Sequence, residues 1–285
     1  MRPARGGALS ETALREVVED LAARPDPPPE EVRAAVERLL DALEAGTVRA
    51  AEPDGDGWRV HAWVKRGILL AFRGGLRTWD APPFAFRDKE TLPPRASFRE
   101  GANVRIVPGG SSVRRGAHLG DGVVVVPPAF VNVGAFVGPS SMIDSHVLVG
   151  SCAQIGARVH LSAAVQVGGV LEPVGARPVI VEDDAFIGGG AGIYEGTRVS
   201  RRAVIAPGVI LTRSVPLYDL VRGERHGLDA SGGLVVPEGA VVVPGSRPAP
   251  GEFARGAGLA LYAPVIVKYR DAASDAATAL EDALR

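Results

Sequence analysis

The sequence predicts a mainly β protein: a triangular solenoid of short parallel strands at residues 101–217, with a mixed α/β cap at 1–100 and a small β region at 218–285. Three observations predict it. An aliphatic residue recurs at every sixth position; the residue four places later is never charged, aromatic or Gly; and the beat is broken once by a segment whose length is not a multiple of six. A period of six fits neither an α-helix, at 3.6, nor a half-buried strand, at 2.

The cap comes first. Residues 10–46 read as two helices, the second opened by Pro29 and acids and stopped by Gly46. Its apolar stripe is Val32, Val36, Leu39, Leu40 and Leu43. "DGDG" at 54–57 marks a turn, and "WRVHAWVKRGILLAFR" reads as a strand leading into a short apolar helix.

The beat then runs through Val113, Leu119, Val125, Val131, Val137, Ile143, Val149, Ile155, Leu161 and Val167. After a gap it resumes at Val181, Ile187, Ile193, Val199, Ile205, Leu211 and Leu217. Each six-residue unit is read as a strand plus a turn, and three units close one coil. The aliphatic residue points inward, and stacked coils share one aliphatic core that no unit can build alone. The position after the beat is often Gly, Asn or Asp, as in Gly120, Asn132, Gly138 and Asp144, a choice expected to serve the turn dihedrals. Seventeen units make nearly six coils. Between Val167 and Val181 the segment "LEPVGARP" must leave the prism as an external loop near 171–178, placed to act as a lid or as an arm touching another subunit.

After 218 the beat fades into strands separated by Gly and Pro, and a polar, Ala-rich tail at the end reads as helical. Charge and composition exclude several roles. Lys and Arg total 32 against 33 acids, without the basic excess expected of a general nucleic-acid or anionic-membrane binder. The N-terminus meets acids before any continuous apolar run, and no stretch of 18 apolar residues occurs. A single cysteine, Cys152, forms no intrachain disulfide and reads as a small buried thiol rather than a nucleophile. A cytoplasmic protein is expected.

A prism of this kind is not a function by itself. The pattern resembles the hexapeptide-repeat family, which implies a left-handed parallel β-helix. Three uses compete: a coenzyme-A-dependent acyltransferase, a metal hydratase of the γ-carbonic-anhydrase type, and a structural solenoid. The hydratase needs three converging imidazoles. Of His61, His118, His146, His160 and His226, only three lie within the repeat, without the closely spaced pair that family carries. A structural solenoid has no use for the cap, the loop or the C-terminal strands.

Longer stretches carry a closer resemblance. "GSCAQIGARVHLSAAVQVGGVLEP", "SSMIDSHVLVGSCAQIG" and "PAFVNVGAFVG" are similar to the tetrahydrodipicolinate N-succinyltransferases of lysine and diaminopimelate biosynthesis. So are "GTVRAAEPDGDGWRVHAWVKRGILLAFR" in the cap and "LYAPVIVKYRD" near the end, so that the likeness runs from about residue 30 to 270. The resemblance implies succinyl transfer from succinyl-CoA, a co-substrate rather than a permanently bound cofactor, to the amine form of tetrahydrodipicolinate. It also implies a homotrimer with active sites between neighbouring prisms and no metal.

It further implies site residues. The family's substrate-contacting Asp lies in a motif matched by Asp144, and its substrate arginine opens a stretch matched by Arg105 in "RIVP". On the residues alone Asp144 reads first as a turn former, and the resemblance turns it into a site residue. Arg114 and Arg115 stand either as helpers of Arg105 or as solvated charges at the prism's first turn. One departure stands out. The family's second catalytic carboxylate, a Glu in a segment resembling "ARSEVVEG", faces Gly192 in "GGGAGIYEG" here, and Glu195 matches a different Glu. Related N-acetyltransferases also carry an apolar residue at that point. An acetyl donor, another amine as acceptor, or a carboxylate supplied by Glu172 of the loop therefore all stay open.

Overall fold

In a computed structural model of the chain, described for residues 10–81, 84–96, 101–230 and 232–271, the six-residue beat becomes three parallel sheets. Partners in neighbouring coils are Phe136 with Gln154, Met142 with His160, and Leu148 with Gln166. Sheet A holds strands from His118–Leu119 up to Arg198–Val199. Sheet B runs from Val104–Ile106 to Val204–Ile205, and sheet C from Ser112–Val113 to Ile210–Leu211. Every residue named on the beat is buried, and together they form one aliphatic column. The Ala-rich tail beyond 271 lies outside the described residues.

The turn chemistry differs from the expectation. The left-handed residues stand three places after the beat: Ser140, His146, Cys152, Arg158, Ala164, Asp184 and Arg202 all have φ between 56° and 65°. The position directly after the beat is instead a place of close approach. A Cβ on Gly138 would lie 2.6 Å from the Gly156 carbonyl carbon, and one on Gly150 would lie 2.2 Å from the Gly169 nitrogen. Glycine there lets successive coils stack.

The prism also runs past 217. Val235–Val236 returns to sheet A beside Arg198–Val199, and Val242 follows on sheet B beside Ile205, six residues after Val236. Leu217 is therefore not a unit of the prism. It stays buried, but its strand Leu217–Asp219 pairs with Glu224–His226 and with Ala260–Tyr269. The residue before each beat donates its N–H to the next coil, as Gln154 does to Val179 and Arg198 to Leu234. At that place before Leu217 stands Pro216, which has no N–H to give. A second excursion therefore occupies 212–234. The long strands Ala240–Pro248 and Ala260–Tyr269 then form an antiparallel hairpin.

Helices α1 (Glu11–Ala23), α2 (Pro29–Ala45) and α3 (Ala62–Phe72) form the cap with the hairpin Ala51–Asp54/Gly57–Val60. The Ser10 hydroxyl accepts from the Ala13 N–H at the start of α1, and Gly46 closes α2 at φ 73°. The predicted stripe of α2 is buried in a second cluster that includes Val133 and Cys152 from the C-to-A corner of the prism. The cap is also bolted to the outer face of sheet A. Arg49 donates to Gln154 Oε1 at 3.0 Å and lies 3.7 Å over Phe136, while Trp58 Nε1 donates to Glu182 at 3.0 Å. No helix among the described residues is long and apolar enough to cross a membrane.

Candidate functional site

Asp144 follows strand Met142–Ile143 and stands, half-buried, at the corner where sheet B gives way to sheet C. Its Oδ1 accepts from the Ser145 N–H at 2.7 Å and lies 3.4 Å from Ser145 Oγ. One carboxylate oxygen thus builds the turn, and Oδ2 makes none of these contacts. The turn and the chemical readings of Asp144 are compatible, because a carboxylate has an oxygen for each.

Arg105 pairs across sheet B with Val124, which pairs with Met142. Arg105 and Met142 therefore sit two strands apart on one outward face, about 10 Å at ~4.8 Å per strand, with Asp144 two residues further on. Arg105 is exposed and has no acidic partner among the described residues. Arg114 and Arg115 are engaged elsewhere. Arg114 pairs with Asp88 and lies over Phe72; Arg115 donates to Glu44 at 3.0 Å and also reaches Asp41. Both are spent on binding the cap to the prism.

Gly192 opens strand Gly192–Ile193 of sheet C, next to Gln166 and Ile210. Its φ is not positive, so the backbone does not require glycine there. The side chain of Tyr194, two residues on and on the same side, does. A Cβ at 192 would come 2.5 Å from Tyr194 Cε2, 2.9 Å from its hydroxyl and 3.0 Å from Ile210 Cδ1. The same ring lies against Gly168 one coil below, where a Cβ would meet Cδ1 at 2.8 Å. Sequence reasoning passed over Tyr194. The available signal was a glycine and an aromatic residue two apart on one strand face.

The corner that follows is bent further than its neighbours, with both Glu195 (φ 55°) and Gly196 (φ 71°) left-handed. Here a cavity of about 350 Å³ opens between the external loop and the prism, lined by Gly168, Gly169, Glu172, Tyr194, Glu195 and Arg213 among others. Glu195 accepts from the Arg213 N–H at 2.9 Å, whereas Glu172 is exposed at the cavity. The loop is not a free arm. The buried Lys65 of α3 donates to the Ala176 carbonyl at 2.6 Å, and Arg177 donates to the Gly196 carbonyl at 2.8 Å and pairs with Asp229. Leu171 packs on the cap cluster. Burial lowers the Lys65 ammonium below its ordinary range, an effect the neighbouring Cys152 thiol only partly offsets.

Cys152 is fully buried, and burial pushes its thiol up to about 12, far from the range of a nucleophilic thiolate. The five histidines are scattered. His118 donates to the Glu44 carbonyl at 2.9 Å and stacks on Phe136, His160 lies beside Phe186, and His61 meets Glu52 at 3.0 Å. Among the described residues one cluster has metal-ligand character: Asp219, Glu224 and His226. Within it Asp219 already accepts from the Tyr269 hydroxyl at 2.6 Å and from two backbone N–H groups. Burial would raise the Asp219 carboxyl, but these bonds bring it below its usual range, and the same contact and burial push Tyr269 up to about 12.

Two family models match the chain: the N-terminal part of tetrahydrodipicolinate N-succinyltransferase over residues 11–73, and the hexapeptide repeat of succinyl-transferase over 178–213. Three curated relatives bear the name 2,3,4,5-tetrahydropyridine-2,6-dicarboxylate N-succinyltransferase. The protein from Polynucleobacter asymbioticus is 41% identical, covering 92% of this chain and 92% of its own. That from Acinetobacter baylyi is 42% identical over 90% and 91%, and that from Bordetella pertussis 43% identical over 90% of each.

Proposed function

The chain belongs to the tetrahydrodipicolinate N-succinyltransferase family, and from that premise we propose how its residues carry out succinyl transfer to tetrahydrodipicolinate. The carrying observation is the 41–43% identity to named N-succinyltransferases over nine-tenths of both chains. The acceptor amine attacks the thioester carbonyl of succinyl-CoA. A C–N bond forms, the C–S bond breaks, the amine proton passes to a base, and coenzyme A leaves as the thiol. Asp144 is the base or the holder of the amine, through the oxygen its turn leaves over. Arg105, exposed and without an acidic partner among the described residues, suits a carboxylate of the acceptor. Much of the rate comes from fixing thioester and amine side by side.

The reading includes a homotrimer of left-handed prisms in the cytoplasm. Sheet C carries outward Phe130, Leu148 and Ile210, half-buried in the single chain, and sheet B carries Met142 and Phe186 likewise. A second prism laid on these faces removes apolar surface from water. Asp144 and Gly192 lie two coils apart, about 10 Å along the axis, and at different places around the prism. Both therefore meet one substrate best when two chains contribute.

Gly192 supports a second reading, with an acetyl rather than a succinyl donor. A thiol-release assay with tetrahydrodipicolinate and each donor tests both. Faster turnover with succinyl-CoA is expected. Faster turnover with acetyl-CoA moves the chain to the acetyl branch, and turnover with neither donor overturns the reading.

A further inference from the structure

We infer that the Tyr194 hydroxyl is a working group of the acyl-transfer site, donating a hydrogen bond to an anionic oxygen at the place where a side chain on residue 192 would otherwise point. The inference rests on the acyltransfer reading of the previous subsection and names a residue which that reading lacks.

Three observations carry it. Gly192 and Tyr194 are geometrically one unit: the hydroxyl would lie 2.9 Å from a Cβ at 192, and the ring edge 2.5 Å from it, so a residue larger than glycine and the tyrosine in this pose exclude each other. The ring is seated on glycines of two adjacent coils, since a Cβ on Gly168 would likewise meet its Cδ1 at 2.8 Å. Finally, Tyr194 lines the cavity under the external loop, and its hydroxyl, directed toward Gly192, which does not line that cavity, has no hydrogen-bond partner among the described residues.

A phenol is fixed by its ring and offers an O–H donor. The natural acceptor in an acyl transfer is an anionic oxygen, and two are available: the oxyanion that forms at the thioester carbonyl, and a carboxylate of the acceptor. Both have the same chemistry at the hydroxyl, and kinetics separate them. The tyrosine gives up no proton in either case, so the atom balance of the transfer is unchanged.

The test is Tyr194→Phe, which keeps the ring over Gly168 and Gly192 and removes only the oxygen. Thiol release, the KM of each substrate and the calorimetric affinity for succinyl-CoA are measured against the wild type. The expected result is a loss of about 10²–10³ in kcat with succinyl-CoA affinity unchanged, the scale of one donor to an oxyanion. A rise confined to the KM of the acceptor assigns the bond to its carboxylate instead and equally supports the inference. A paired comparison checks the shared space: Gly192→Glu alone should lose stability, and Gly192→Glu with Tyr194→Val should regain it. A Tyr194→Phe enzyme with wild-type kcat and KM overturns the inference while leaving succinyl transfer intact. A wild type that turns over neither donor overturns both.

Discussion

Asp144→Asn is expected to lower the turnover of acyl transfer by roughly 10²–10⁴, the scale for losing an acid–base partner. The substitution separates the two roles of the side chain. Asparagine keeps an Oδ1 that accepts from the Ser145 N–H, now at 2.7 Å, so the turn into sheet C survives. What it loses is the negative charge and the second carboxylate oxygen. The expected outcome is therefore an unchanged thermal transition, unchanged affinity for succinyl-CoA and a collapsed kcat. Full activity in this variant would return Asp144 to the role of turn former. A collapse accompanied by unfolding would show that the turn, not the chemistry, had been damaged.

The largest effect on stability is expected from Arg177→Ala. Arg177 is 7% exposed and joins three parts of the chain: the external loop that carries it, the Gly196 carbonyl of the cavity corner, and Asp229 and Leu234 of the second excursion. Removing one partner of a buried ion pair costs about 3–5 kcal/mol. The Asp229 side chain is 31% exposed, so solvent screening places the loss near the lower end, about 3 kcal/mol. Arg177→Lys keeps the charge but not the planar fork, and should recover only part of it. Urea unfolding of the three proteins reads the difference. An Arg177→Ala protein with wild-type stability would mean that the loop is not anchored as the contacts indicate. The same variant should also lower activity, because Arg177 fixes two walls of the cavity.

Much of the fold is legible in the sequence because its rule is local. Val137, Ile155 and Val181 stack on one another because each must be aliphatic to fill a narrow prism, and a period of six writes that need into the chain. The loop after Val167 is equally plain, since its length breaks the period and its prolines cannot pair. The second excursion is hidden for a physical reason. Leu217 keeps the beat and stays buried, and only the coil-to-coil hydrogen bonds show that Pro216 withholds the donor a seventeenth unit needs. The glycines after the beat were legible as special but not for the right cause, because close approach depends on residues one coil away, as Gly138 meets Gly156.

The site divides along the same line. Asp144 and Arg105 are suggested by motif, and the register puts Arg105 on one face of sheet B with Met142, two residues before the corner that holds Asp144. Arg114 and Arg115 look like equal candidates until Asp88, Asp41 and Glu44 of the cap are seen to hold them. Tyr194 leaves only a faint signal, an aromatic residue two places from a glycine, because that pairing has meaning only when the ring direction is known. The external loop reads as an arm, yet Lys65 and Arg177 tie it down from opposite sides through partners 111 and 52 residues away.

The central claim is that the transfer site is completed by a second copy of the chain. It is tested most directly by measuring specific activity and sedimentation together across a dilution series of the wild-type enzyme. Activity per chain should follow the trimer and fall as monomer appears, because Asp144 and the Gly192–Tyr194 corner stand two coils apart on one prism and are proposed to meet one substrate through neighbouring copies. A stable monomer that retains the full specific activity of the concentrated enzyme would contradict the account.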